Sequence, residues 1–355
     1  MNSVCPINYF SDDIYSMVKS FVIRGNLIDT SLLEGLAESK SLSDLLLKLR
    51  GTVYSDVVSS LQSPYSISSI EVSLRKHLVN THNKILSVTP KNDILIAYYL
   101  KYIGYNLKIL LKGRVQGKSE QSISEHLDMY AEEIFGRRDM LIKALSSENI
   151  ENTVDVLKDS EFGTDVISAL NLYKKSGNSQ VFDIFIDKAF YQNVLNAFML
   201  NHKKDTYVRD IVSLEIDSYN CLAVLRSRLW NLESSEIKKL IIPHFFDISE
   251  GVLNNMIESE SINESIKILH GTIYRKILID TLSNETAITV LEDEFRILSY
   301  RRAYNPFLWD INRISIALGA IKLTELETHN LSAIAFGIEN HLGTKEIMSS
   351  LVILK

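Results

Sequence analysis

The chain repeats itself. SLSDLLLKLRGTVY at 41–54 returns as SINESIKILHGTIY at 261–274, with Leu49/Leu269, Gly51/Gly271, Thr52/Thr272 and Tyr54/Tyr274 in register. Between them, NIENTVDVLKDSEF at 149–162 keeps Leu157, Ser160 and Phe162 in the same places, with Asp159 where the others have glycine. A second block closes each copy: NLKILLKGRVQGKSEQSI (106–123), NCLAVLRSRLWNLESSEI (220–237) and NLSAIAFGIENHLGTKEI (330–347) align without a gap. Each opens on asparagine (Asn106, Asn220, Asn330) and carries an aliphatic residue four later (Leu110, Val224, Ile334). A small residue follows at seven (Gly113, Ser227, Gly337) and isoleucine at seventeen (Ile123, Ile237, Ile347).

The two blocks are independent rulers and they agree. The first starts at 41, 149 and 261, the second at 106, 220 and 330, a period near 110 in both. Solenoid units run to tens of residues, whereas this period is domain-sized. The pattern predicts three similar helical domains: 1–125, 126–240 and 241–355.

An all-α fold is the expectation. Five prolines and fourteen glycines in 355 residues leave room for long elements, and no segment alternates for long enough to argue for a sheet. LWDINRISIALGAIKL at 308–323 places Ile311, Ile314, Leu318 and Ile321 at helical spacing. Asn305-Pro306 marks a stop just before it, Ser41 reads as an N-cap, and a short helix is expected from Thr344 after Gly343.

Charge and cysteine content narrow the function classes. A net charge of −6 excludes a generally basic nucleic-acid binder. Cys5 and Cys221 have no zinc-ligand spacing and suit a reducing compartment. No signal peptide is evident, and the best apolar run, ISIALGAI at 314–321, is far short of the roughly 20 residues that span a bilayer.

Residues 325–343 crowd Glu325, Glu327, His329, Glu339 and His341 together. Glu325 and His329 share a helical face, but Glu325 and Glu327 point about 200° apart. The copies decide against a ligand set. Glu325 and Glu327 recur as Glu215 and Asp217 but correspond to Lys101 and Ile103 in the first copy, and the histidine occurs once. The asparagine recurs three times, which predicts a buried hydrogen-bonding and packing node. No GxGxxG, GxxxxGK[ST], GxSxG, HExxH or CxxC is present; GKSEQSI at 117–123 lacks the earlier glycine of a phosphate loop. Asp12-Asp13 reads as a helix start. His77 with His82, and Tyr98, Tyr99, Tyr102 and Tyr105, read as core or surface. Neither an active site nor a cofactor or nucleotide site is predicted.

The C-terminal run NPFLWDINRISIALGAIKLTELETHNLSAIAFGIENHLGTKEI resembles the C subunit of archaeal and bacterial V/A-type ATPases, a family related to the eukaryotic d subunit. Asn305, Pro306, Phe307, Glu325, Glu327, Asn330, Leu331, Ile334, Ala335, Gly337, Glu346 and Ile347 fall on that family's pattern. The resemblance implies a funnel of three helical domains about a pseudo-threefold axis. It also implies a non-catalytic role: a central-stalk rotor component at the cytoplasmic membrane face, joining the proteolipid ring to stalk subunits of D and F type and coupling ion transport to ATP synthesis or hydrolysis. Family members carry basic residues where this chain has Ser332, Phe336 and Ile338. Lys112, Arg114, Arg226 and Arg228 keep them in the earlier copies and are the implied partner contacts. Two other readings compete: a helical scaffold unrelated to ATPases, and a metallohydrolase built on Glu325 and His329.

Overall fold

Ser41, Asn149 and Ser261 open the three first blocks in extended backbone, and each turns its side-chain oxygen onto a backbone N–H three residues on. Those bonds, to Asp44, Asn152 and Glu264, measure 3.2, 2.8 and 3.1 Å. Each cap satisfies an otherwise unpaired N–H and starts a helix: Leu42–Leu49, Ile150–Leu157 and Ile262–Ile268. The blocks end alike. The hydroxyls of Thr52, Ser160 and Thr272 donate to the carbonyls of Leu49, Leu157 and Leu269 at 2.8, 2.6 and 2.7 Å. The same oxygens accept the N–H of Tyr54, Phe162 and Tyr274. This turn fixes the aromatic ring that follows. Asp159 is tolerated because a Cβ at Gly51 or Gly271 meets nothing closer than 4.0 Å.

The computed structural model describes residues 7–90, 92–275, 284–310 and 313–353. These are helical, with no strand among the described residues. The second blocks lie on three core helices, Asp93–Val115, Thr206–Leu229 and Arg313–Glu339. The third begins later than periodicity suggests. Pro306–Trp309 is a separate short helix, and Asp310 is extended and accepts the Ser315 hydroxyl. Ile311 lies outside the described residues, as do Cys5 and the side chains of Asp12 and Asp13.

Each core helix stops the same way. Gly117, Asn231 and His341 adopt positive φ (69°, 55° and 56°). The next N–H bonds back to the carbonyl of Gly113, Ser227 or Gly337 at 2.9, 3.0 and 2.9 Å. This is the Schellman closure. It returns Ile123, Ile237 and Ile347 to the helix on the short segments Glu120–Ser124, Ser234–Leu240 and Thr344–Ser349. A Cβ on Gly113 would stand 2.7 Å from Ile123 Cγ1, and one on Gly337 2.5 Å from Ile347 Cγ1. The small residue at position seven and the isoleucine at seventeen are therefore one packing constraint.

Contacts divide the chain into two compact units, 1–96 with 296–355, and 97–295. In the first, Leu36, Leu45, Leu46, Leu49 and Leu74 pack with Leu331, Ile334, Ala335 and Ile347. The first block of the sequence thus shares a core with the last second block. The other unit holds the middle and last first blocks together with the second blocks at 106–123 and 220–237.

The run at 314–321 is not the best candidate for a membrane span after all. Asp93–Val115 is long and apolar enough by composition to cross a bilayer, although 72% of its apolar window is buried inside the protein. Tyr98, Tyr99 and Tyr102 are buried, while Tyr105 is exposed.

Candidate functional site

The three asparagines form one structure three times. Asn106 Oδ1 accepts the N–H of Asp128, Asn220 Oδ1 that of Ile242, and Asn330 Oδ1 that of Val352, each at 2.8 Å. Their Nδ2 groups donate to the carbonyls of the same three residues at 2.9, 3.1 and 2.9 Å. A side-chain amide presents one donor and one acceptor side by side, which matches both groups of a single backbone residue. All three asparagines are buried, so the pair of bonds satisfies a chain segment that has left its helix.

The acids form a second node. Glu327 accepts the Tyr54 hydroxyl on Oε2 at 2.6 Å and the Ile28 N–H on Oε1. Asp217 Oδ2 accepts the Tyr274 hydroxyl at 3.0 Å and the Asp247 N–H at 3.1 Å. The remaining pairing replaces both partners: Phe162 stands in place of the tyrosine, packed on Gly104, and Ile103 in place of the acid. Polar or apolar, the node joins a core helix to a first-block aromatic. Burial pushes Glu327 up to about 7 against the opposing bonds from Tyr54 and Ile28. Burial and the charge of Glu327 raise Tyr54 well above the usual tyrosine range.

The neighbouring acids serve other contacts. Glu215 accepts the Tyr98 hydroxyl, and Glu325 pairs with Lys322 at 2.9 Å. His341 is the left-handed cap of its helix, which places it one turn beyond Gly337 and apart from Glu325. The described residues contain no group of three or more His, Cys, Asp or Glu side chains able to share a metal ion. His82 is buried with Nε2 3.0 Å from the Leu95 carbonyl oxygen, and burial lowers it to about 4. His77 packs its ring on Tyr54.

The four basic residues also find partners within the chain. Lys112 pairs with Asp183 at 2.9 Å and Arg226 with Glu292 at 2.7 Å. Arg114 donates to the Leu145 carbonyl, and Arg228 to the Ile257 carbonyl at 2.6 Å. In the third copy Phe336 takes the place of Lys112 and is 53% exposed. Ile338 takes that of Arg114 and joins the core that also holds Leu331, Ile334 and Ile347. The pairing of Tyr54 with Glu327 and of Tyr274 with Asp217 escapes a reading of the blocks one at a time. Its signal is nonetheless present: tyrosine accompanies an acid in two pairings, and phenylalanine accompanies isoleucine in the third.

The repeated asparagine and acid–aromatic nodes bind helices to other segments of the chain, so these recurrent residues serve packing. Residues 18–350 match the family described as ATP synthase (C/AC39) subunit, and the chain belongs to that family. It is 22% identical over 347 residues to the A-type ATP synthase C subunit of Methanocaldococcus jannaschii, covering 93% of this chain and 84% of the relative. The protein of the same name from Pyrococcus horikoshii is 25% identical over 344 residues, covering 94% of this chain and 88% of that protein. The one from Methanosarcina barkeri is 27% identical over 311 residues, covering 85% and 82%. Membership of this family displaces the reading of a scaffold unrelated to ATPases.

Proposed function

We propose that the protein is a non-catalytic central-stalk component of a V/A-type ATP synthase, joining the membrane proteolipid ring to stalk subunits of D and F type. It would couple ion translocation to ATP synthesis or hydrolysis carried out in a separate catalytic head. The observation that carries this reading is the family match over residues 18–350, with A-type ATP synthase C subunits matched over most of their length.

The repeated nodes support it physically. An element that transmits torque must resist shear, and buried hydrogen-bonded nodes inside close-packed helices do so better than loops. In this reading the copies at 1–125, 126–240 and 241–355 form three similar domains about a pseudo-threefold axis, a funnel whose opening admits the stalk at the cytoplasmic membrane face. Lys112 and Arg226, whose ion pairs lie near the surface, are the residues that exchange onto a partner protein. Arg114 and Arg228 serve the fold through backbone carbonyls.

The test is purification through an affinity tag on this chain from membranes dissolved in mild detergent. The proteolipid and the D- and F-type subunits should co-purify in fixed ratio, and a map of the assembly should place the chain between ring and stalk. An intact rotor isolated without this chain would overturn the reading.

A further inference from the structure

The Asn106 node differs from its two counterparts. Asn220 and Asn330 meet the backbone of the apolar residues Ile242 and Val352, whereas Asn106 Nδ2 donates both to the Asp128 carbonyl and to Glu132 Oε1, the latter at 3.0 Å. Asp128 caps the helix Met129–Ile134, and Glu132 follows one turn later. Their residues are 3% and 1% exposed. Asp128 Oδ1 accepts the N–H groups of Tyr130 and Ala131 at 3.1 and 3.3 Å. Asp128 Oδ2 and Glu132 Oε2 have no hydrogen-bond partner among the described residues.

Tyr99, Tyr130 and Arg137 are the titratable or charged groups that act on this cluster. From the first core helix, Tyr99 directs its hydroxyl to the Ala131 carbonyl oxygen at 3.1 Å. From the start of the next helix, Arg137 turns its guanidinium to Glu161. Two carboxylates on adjacent turns of a buried helix cannot both hold charge cheaply. Asp128 Oδ1 accepts two N–H groups; Glu132 has a single amide donor.

We propose that Glu132 is held as a neutral acid in the folded protein, and that release of its proton to solvent loosens the joint between Met129–Ile134 and the first core helix. The joint is then a pH-sensitive element of the unit 97–295. Burial, opposed by the Asn106 bond and Arg137 and reinforced by Asp128, pushes Glu132 up to about 7 from an ordinary value of 4.5. The sign follows. Folding retains a proton that the open chain gives up, so the joint is tightest below about pH 4.5. It weakens as pH rises toward 7 and levels off above that.

Hydrogen exchange of the full-length protein, read by mass spectrometry on peptides covering 99–135 and corrected for intrinsic rates, tests this. Wild-type protection should fall by up to about tenfold per pH unit between pH 5 and 7 and then level off. Glu132→Gln should flatten the profile, and Glu327→Gln should leave it unchanged in these peptides. Protection that is independent of pH in the wild type, or a decline that persists in Glu132→Gln, overturns the proposal. Should Glu132→Gln not fold, Asp128→Asn removes the like charge while keeping a capping side chain. The decline must then move to lower pH, and an unmoved profile is equally fatal.

Discussion

The phenol of Tyr54 donates to the carboxylate of Glu327 across 273 residues of sequence, at 2.6 Å and out of contact with water. Tyr274 and Asp217 repeat the bond at 3.0 Å. Removing one partner strands the other. Tyr54→Phe should therefore destabilise the unit by about 1–3 kcal/mol. The apolar version of the node shows how the loss is offset: Tyr54→Phe combined with Glu327→Ile reproduces the residue types at the equivalent buried positions, Phe162 and Ile103. A double-mutant cycle by denaturant unfolding should give a coupling of about 0.5–3 kcal/mol, and strictly additive single changes would show that the pair is not a unit.

Glu327 also makes stability depend on pH. Burial raises it from 4.5 to about 7 in the folded chain. A raised acid contributes stability that is complete below the unfolded value and is lost as pH rises through the folded one. Glu327→Gln and wild type should be nearest in stability around pH 5. Glu327→Gln should then gain on wild type, by an amount on the order of 1–3 kcal/mol by pH 8. Urea midpoints of the two proteins, taken at half-unit pH intervals, measure the difference directly.

The asparagine node predicts equal sensitivity at distant sites. Asn220→Ala leaves the Ile242 N–H and carbonyl buried without partners, a loss of about 2–4 kcal/mol for two bonds. Asn330→Ala should have the same effect through Val352. Asn220→Asp sets a carboxylate oxygen against the buried Ile242 carbonyl, so at neutral pH thermal unfolding should place it no higher than alanine.

His341 supplies a test in the stabilising direction. A non-glycine residue at positive φ is strained by roughly 1 kcal/mol, and the equivalent cap in the first copy is Gly117. His341→Gly should raise stability by up to about 1 kcal/mol, and Gly117→Ala should lower it by a similar amount, both read from thermal unfolding. By contrast, Gly337→Ala places a Cβ against Ile347 and should lose about 1–3 kcal/mol by overpacking.

Much of this architecture is legible in the sequence because the chain prints it three times. Comparing copies separates Asn330 and Ile347, which recur, from His329 and His341, which do not, and the structure gives the recurring residues the shared roles. The helix cap at Ser41 and the helical class are local properties and read directly. The pairing of Tyr54 with Glu327 is not, because alternation between polar and apolar versions of one node emerges only when two separate blocks are compared column by column. The break at Asp310 ahead of the third core helix is hidden by the continuous apolar spacing: Asp310 is extended and accepts the Ser315 hydroxyl. Asp128 stands where the other copies have Ile242 and Val352, 22 residues after each asparagine, but these positions lie beyond the aligned blocks, so the buried Asp128–Glu132 pair goes unread in them.

The sharing of one core by the first block and the last second block sets an order of assembly. Leu45, Leu46 and Leu49 leave the ribosome long before Ile334 and Ile347 exist to cover them, while 97–295 has all its partners in hand. Nascent chains should therefore acquire protease resistance in the central segment first. The early leucines meanwhile remain a substrate for chaperones until the third core helix emerges.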